Sequence, residues 1–117
     1  MILTLPIPPS VNAAYANNKS GRGRGRFKTA AYRAWLLHAD VMYLQQKRAL
    51  EPVTGPAMVV IKLPMKMRGD ISNRIKVPED FLVSRGLTSD DSKNVHVGAV
   101  RSADVKPGFC EIVVRPA

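Results

Sequence analysis

The chain has 117 residues, room for one compact domain with one core and little for a second. Hydrophobic residues make up 45% and charged residues 23%, ordinary globular usage that excludes disorder as the default state of most of the chain. The 18 Lys and Arg residues against 9 acidic ones leave a formal net charge of +9, a surplus that favours nucleic acid or an anionic membrane surface over neutral or acidic partners.

The opening segment MILTLPIPPS has no basic n-region, and prolines break its apolar run, so it does not read as a signal peptide. Ile2 to Ile7 is short, β-compatible and stopped by Pro8-Pro9, which predicts a strand. Ser10 to Arg26 is rich in Asn, Gly, Ser and Arg, contains GRGRGR, and predicts a mobile loop, with the basic stretch as a whole covering residues 10–28.

Thr29 to Leu50 predicts a long helix with Thr29 as its N-cap. Trp35, Ala39, Met42 and Ala49, with Leu36, Tyr43 and Leu50 one position on, form one broad apolar face. Pro52 and Gly55-Pro56 end that element. Ala57 to Met65 is rich in β-branched residues and predicts a strand, in which Pro64 marks an edge position or a strand end. Ile71 to Arg85 predicts a second helical segment closed by Gly86, with Pro78 either kinking it or standing in the first turn of its second piece. Val95 to Arg101 and Phe109 to Arg115 predict two strands joined by a turn through Lys106-Pro107-Gly108.

The order β-α-β-α-β-β implies a single α+β domain over residues 1–117, with two main helices packed on a mixed sheet. The one cysteine, Cys110, sits in the apolar run FCEIVV and reads as a buried, inert thiol, which suits a reducing cytoplasm. No apolar stretch approaches the roughly 20 residues that span a bilayer, so no membrane partner is expected. His38 and His96 lack ligand spacing and read as structural, with no zinc site.

The acidic residues are less evenly spread than the basic ones. Asp70, Glu79, Asp80, Asp90 and Asp91 lie in or near one stretch, with Glu111 further on. Gathering carboxylates beside a phosphate-binding surface is costly unless a divalent cation compensates, and Mg²⁺ takes carboxylates, waters and phosphate oxygens together. A helix over residues 71–85 rises roughly 22 Å, and the return from Gly86 to Asp91 covers about 20 Å when extended, so the chain can bring Asp91 back to Asp70 with little slack. Asp90 and Asp91 would point to opposite faces of a strand. Lys76 is placed to stabilise charge developing on a phosphate oxygen, or it is a solvated helix lysine. Asn73 can orient a carboxylate or a water, or simply occupy a first helical turn.

The segment RGDISNRIKVPEDFLVSRGLTSDDS resembles the RusA family of Holliday-junction resolvases, whose hallmark is an Asp-x-Asp-Asn-x-x-Lys run followed by an Asp-Asp pair. Asp70, Asn73, Lys76, Asp80, Gly86, Asp90 and Asp91 match, and LPIPPSVNAAY and the GRGRGRF loop match the family's opening turn and basic loop. The resemblance implies a homodimeric, Mg²⁺-dependent endonuclease of bacterial or prophage type, with Mn²⁺ able to substitute and no organic cofactor. It would resolve four-way DNA junctions by paired symmetric nicks in recombination and repair. It also implies that Asp70, Asp90 and Asp91 are metal-site residues and that Asp70, Lys76 and Asp91 are catalytic. Arg22, Arg24, Arg26, Lys28, Arg68 and Arg74 are the expected DNA contacts, with Gly spacers letting backbone approach the duplex.

Ser72 departs from the pattern, standing where the family has its second Asp. It binds metal through a water, or Asp90 or Asp80 supplies the charge, or the site is weak and the protein binds junctions without cutting them well. Ser72 also has a structural reading as N-cap of the second helix. The runner-up function is therefore a non-catalytic or weakly catalytic nucleic-acid-binding protein.

Overall fold

A computed structural model describes residues 1–17 and 26–117. Four strands, β1 (Ile2–Pro6), β4 (Ala57–Pro64), β5 (His96–Ser102) and β6 (Phe109–Pro116), form one mixed sheet in the order β1-β6-β4-β5. Strand β4 pairs antiparallel with β6 (Val59 opposite Val114) and parallel with β5 (Val59 opposite Val97), while β1 pairs antiparallel with β6 (Leu3 opposite Ile112). The parallel pair needs a long crossover, which the second helical region supplies.

The period-two pattern of the strands sorts their side chains between two faces. Leu3 and Leu5 of β1, Val59, Ile61 and Leu63 of β4, and Cys110, Ile112 and Val114 of β6 are fully buried. They meet two helices, α2 (Ala30–Gln46) and α3 (Lys76–Ser84). Helix α2 contributes Tyr32, Trp35, Ala39 and Tyr43, and α3 contributes Val77, Phe81 and Leu82. Edge-to-face ring contacts run from Tyr32 to Trp35, from Trp35 to Phe81 and from Tyr43 to Phe81, so the two helices share one aromatic seam. Burial pushes the Cys110 thiol up to about 12, in keeping with an inert core cysteine.

Side chains of α2 also close the free edge of β1. The Gln46 amide accepts from the Thr4 N–H at 2.9 Å and donates to the Thr4 carbonyl at 2.6 Å. Trp35 Nε1 donates to the Pro6 carbonyl at 2.9 Å. An edge strand that would otherwise offer unpaired backbone groups is thus partly satisfied by a helix.

Several expectations hold. Thr29 caps α2, its side chain accepting from the Tyr32 N–H. The second helical region is split: a 3-10 turn, Ile71–Arg74, precedes α3, and Pro78 falls in the first turn of α3, where its missing N–H costs nothing. Gly86, at φ 70°, closes α3 with paired bonds from Gly86 N–H to Val83 and from Leu87 N–H to Leu82, the Schellman arrangement.

Others are corrected. Residues 10–17 and 26–28 are not all loop: α1 (Val11–Ala14) leads into β2 (Tyr15–Asn17), which pairs antiparallel with β3 (Arg26–Lys28). Ser10 caps α1, and Tyr15 to Asn17 and Arg26 to Lys28 face one another across the basic stretch. Strands β5 and β6 are joined through the expected turn at Lys106-Pro107-Gly108, and β4 lies between them in the sheet. Of the two expectations for Pro64, the strand end holds: it closes β4, which is an interior strand. Ser72 is not an N-cap: Asp70 holds the cap position of the 3-10 turn, and Ile75, in helical conformation, precedes α3. The region starts its turn before Ser72, which leaves that hydroxyl inside the turn and exposed.

Candidate active site

The parallel crossover from β4 to β5 carries the acidic motif. Asp70 stands beyond the C-terminal end of β4, exposed, and its carboxylate makes no capping hydrogen bond to the turn it opens. The approach to it is fixed from β5: Arg101 donates to the carbonyl of Gly69 at 2.9 Å and to that of Met67. Gly69 itself sits at φ 91°, a region costly for any side chain with a Cβ.

Within the 3-10 turn, Ser72 is exposed and Asn73 half-buried. Arg74 turns inward, donating to the Pro8 carbonyl at 2.6 Å, and so ties the turn to the segment that follows β1. Arg68 remains exposed. Asp90 lies in the return toward β5, where its Oδ1 accepts from the Ser92 N–H at 3.1 Å. That return is pinned near the start of β4 by Ser89 Oγ accepting from the Gly55 N–H and by Val95 N–H donating to Ala57. Asp91 opens a short 3-10 turn, Asp91–Lys93, and its carboxylate lies outside the described residues. Arg22, Arg24 and the Arg26 side chain lie outside them too. Lys28 is exposed, its Nζ 5.3 Å from the centre of the Tyr32 ring. His38 and His96 are both exposed.

Lys76 is the first residue of α3 and half exposed, with its Nζ 3.0 Å from Asp80 Oδ1. The other carboxylate oxygen, Oδ2, accepts from the Tyr15 hydroxyl at 2.9 Å. Tyr15 packs edge-on against Tyr32, with ring centres 5.3 Å apart. Burial, with hydrogen bonds to Tyr32 and Asp80, pushes the Tyr15 hydroxyl well above its ordinary pKa, so it stays a donor. Burial raises Tyr32 as well. Tyr15, Tyr32 and Asp80, with Lys28, Ser84 and Arg85, line an open cleft of about 350 Å³ between the β2–β3 hairpin, α2 and α3. Arg85 closes one side, held by a two-pronged pair to Asp40 of α2 (2.7 Å each) and stacked 4.6 Å over Phe81.

The structure thus joins Lys76 to Asp80, as two members of the sequence motif, and adds Tyr15 and Tyr32, which no spacing marked. Among the described residues, no three His, Cys, Asp or Glu side chains are grouped to hold a metal ion. The exposed carboxylates of Asp70 and Asp90 are hard oxygen donors of the kind Mg²⁺ and Mn²⁺ accept, and are unlike the His and Cys sets that zinc favours. No helix of the described residues is long and apolar enough to cross a membrane.

A comparison with curated proteins finds no match. The family model described as Endodeoxyribonuclease RusA matches residues 6–115, nearly the whole chain. It takes in the opening Pro-Pro turn, the basic stretch, the crossover with Asp70, Lys76 and Asp91, and the last strand, so the chain belongs to the RusA family of Holliday-junction-resolving endodeoxyribonucleases.

Proposed function

We propose that the protein is a divalent-metal-dependent endonuclease that cuts four-way DNA junctions by paired nicks as a homodimer. The family match over residues 6–115 carries this reading. Asp70 and Asp91, with Asp90 beside them, would hold the ion, Mg²⁺ or Mn²⁺. When bound, such an ion activates water and offsets charge on the phosphate. Lys76 would place its ammonium at the scissile phosphate and stabilise the negative charge that develops there. Arg68 and Lys28, both exposed, together with Arg22, Arg24 and Arg26, would contact flanking phosphates. Arg74 would act indirectly, since its guanidinium already serves the Pro8 carbonyl.

A synthetic four-way junction, incubated with and without Mg²⁺ beside an Asp70→Asn variant, tests this. Metal-dependent paired nicking by the wild type and its loss in the variant are expected. Binding without nicking at any enzyme level would overturn the nuclease reading. Arg→Ala at 22, 24 and 26 should weaken junction binding and flatten its salt dependence, because fewer counterions are released. An unchanged slope would remove these residues from the interface.

One observation favours a second reading, a junction-binding protein with little or no cleavage. Ser72 replaces a motif carboxylate and is exposed in the turn beside Asp70. Under that reading the wild type binds Mg²⁺ weakly, and Ser72→Asp raises both calorimetric Mg²⁺ affinity and nicking. Strong nicking by the wild type would end it.

A further inference from the structure

We propose that Tyr15 and Asp80 are positioning residues for Lys76, so that the β2–β3 hairpin sets the orientation of the lysine at the candidate active site. The inference rests on the reading of Lys76 given above and asks what holds it in place.

The geometry is a relay of three side chains from two elements. The Tyr15 hydroxyl donates to Asp80 Oδ2 at 2.9 Å, and Asp80 Oδ1 pairs with Lys76 Nζ at 3.0 Å. Each carboxylate oxygen therefore has its own partner, which fixes the plane of the carboxylate as well as its position. Tyr15 is in turn held by the edge-on contact with Tyr32, which is 2% exposed and anchored in the core by α2. The link from Tyr15 to Asp80 spans 65 residues of sequence, so no local helical rule requires it.

Helix stability does not explain the pair. Lys76 occupies the first position of α3, where a cation opposes the helix dipole. The order, Lys followed by an acid four residues later, is the less favourable orientation for a helix pair. A half-exposed pair of this kind contributes little to folding. Holding the ammonium at one point above the first turn, despite those local preferences, is what a charge-stabilising lysine requires, since misplacing such a group is costly to rate. The relay also begins on the strand that leads into the basic stretch 18–25, on the side opposite Lys28 in the hairpin register. A DNA-induced shift of the hairpin would therefore reach Lys76 through Tyr15.

The test is cleavage of a synthetic four-way junction at saturating Mg²⁺ by Tyr15→Phe, Asp80→Asn, Asp80→Glu and Lys76→Ala. It is paired with junction binding in Ca²⁺ and with thermal unfolding. Tyr15→Phe keeps the ring contact with Tyr32 and removes the hydroxyl that bonds Asp80 and Tyr32. It should lower kcat about tenfold while KM, junction affinity and the unfolding midpoint stay within twofold or unchanged. Asp80→Asn should lower kcat further, and Asp80→Glu should restore part of it. In a Lys76→Ala background, Tyr15→Phe should have no further effect. Wild-type kcat for Tyr15→Phe and Asp80→Asn, with Lys76→Ala inactive, overturns the relay and leaves the reading of Lys76 intact. Full activity of Lys76→Ala overturns both. Additive losses in the double variant would show that Tyr15 acts apart from Lys76 and would also overturn the relay.

Discussion

Helices α2 and α3 lie against the same sheet and share one aromatic seam, yet they use their outer faces differently. Along α2 the outer face carries Leu37, Val41 and Leu44, between 55% and 73% exposed, and two of its polar groups, the Gln46 amide and Trp35 Nε1, are turned back onto the β1 edge. Along α3 the outer face carries Lys76, Glu79 and Asp80, and a tyrosine from another element reaches across to them. The long helix serves the fold, while the short helix presents charge. Length is the enabling difference, because a nine-residue helix cannot stand alone and must be held by tertiary contacts, which frees its sequence to violate helix preferences at Lys76.

The comparison can be broken or sharpened by substitution. The largest effect is expected at the seam itself. Phe81→Ala should cost about 3–5 kcal/mol in denaturant unfolding, because the ring is fully buried against Trp35 and Tyr43. A loss below about 1 kcal/mol would mean that α3 is not packed on α2, since exposed sites typically fall in that range. Thr29→Ala should cost about 1 kcal/mol by leaving the Tyr32 N–H without its cap, and it also removes the hydroxyl that donates to the Ala13 carbonyl. Asp40→Ala, which releases Arg85, should cost somewhat less, about 0.5–1 kcal/mol, because both groups are partly solvated. Its effect should shrink in high salt, unlike that of Thr29→Ala. Smallest of all, Leu37→Gln should change stability by less than about 0.5 kcal/mol, since Leu37 is 73% exposed. A larger loss would show that the outer face of α2 is covered in solution and would erase the contrast between the helices.

Local signals were legible in the sequence and long-range ones were not. Thr29 before an apolar-periodic run, Gly86 after one, and the β-branched run in β4 each announce an element from a handful of neighbouring residues, and each element formed where expected. Strand order depends on pairing across the whole chain, so the turn at Lys106 to Gly108 joins β5 to β6 without telling that β4 lies between them. The composition of residues 10–28 spoke for loop, but pairing of Tyr15–Asn17 with Arg26–Lys28 overrides weak strand propensity there. At the site, motif spacing singled out Lys76 and Asp80 as chemistry-bearing residues. It said nothing of Tyr15, whose role depends on where a distant strand happens to land.

The position of β6 has a consequence for how the molecule is made. Strand β6, which follows β1, β4 and β5 in sequence, lies between β1 and β4 and pairs with both. Neither β1 nor β4 can complete its pairing until β6 has left the ribosome. Folding is therefore expected to be late and dominated by distant pairings, which makes it slow for a chain of this size. Deleting β6 should expose the facing edges of β1 and β4 at once, leaving a chain prone to self-association.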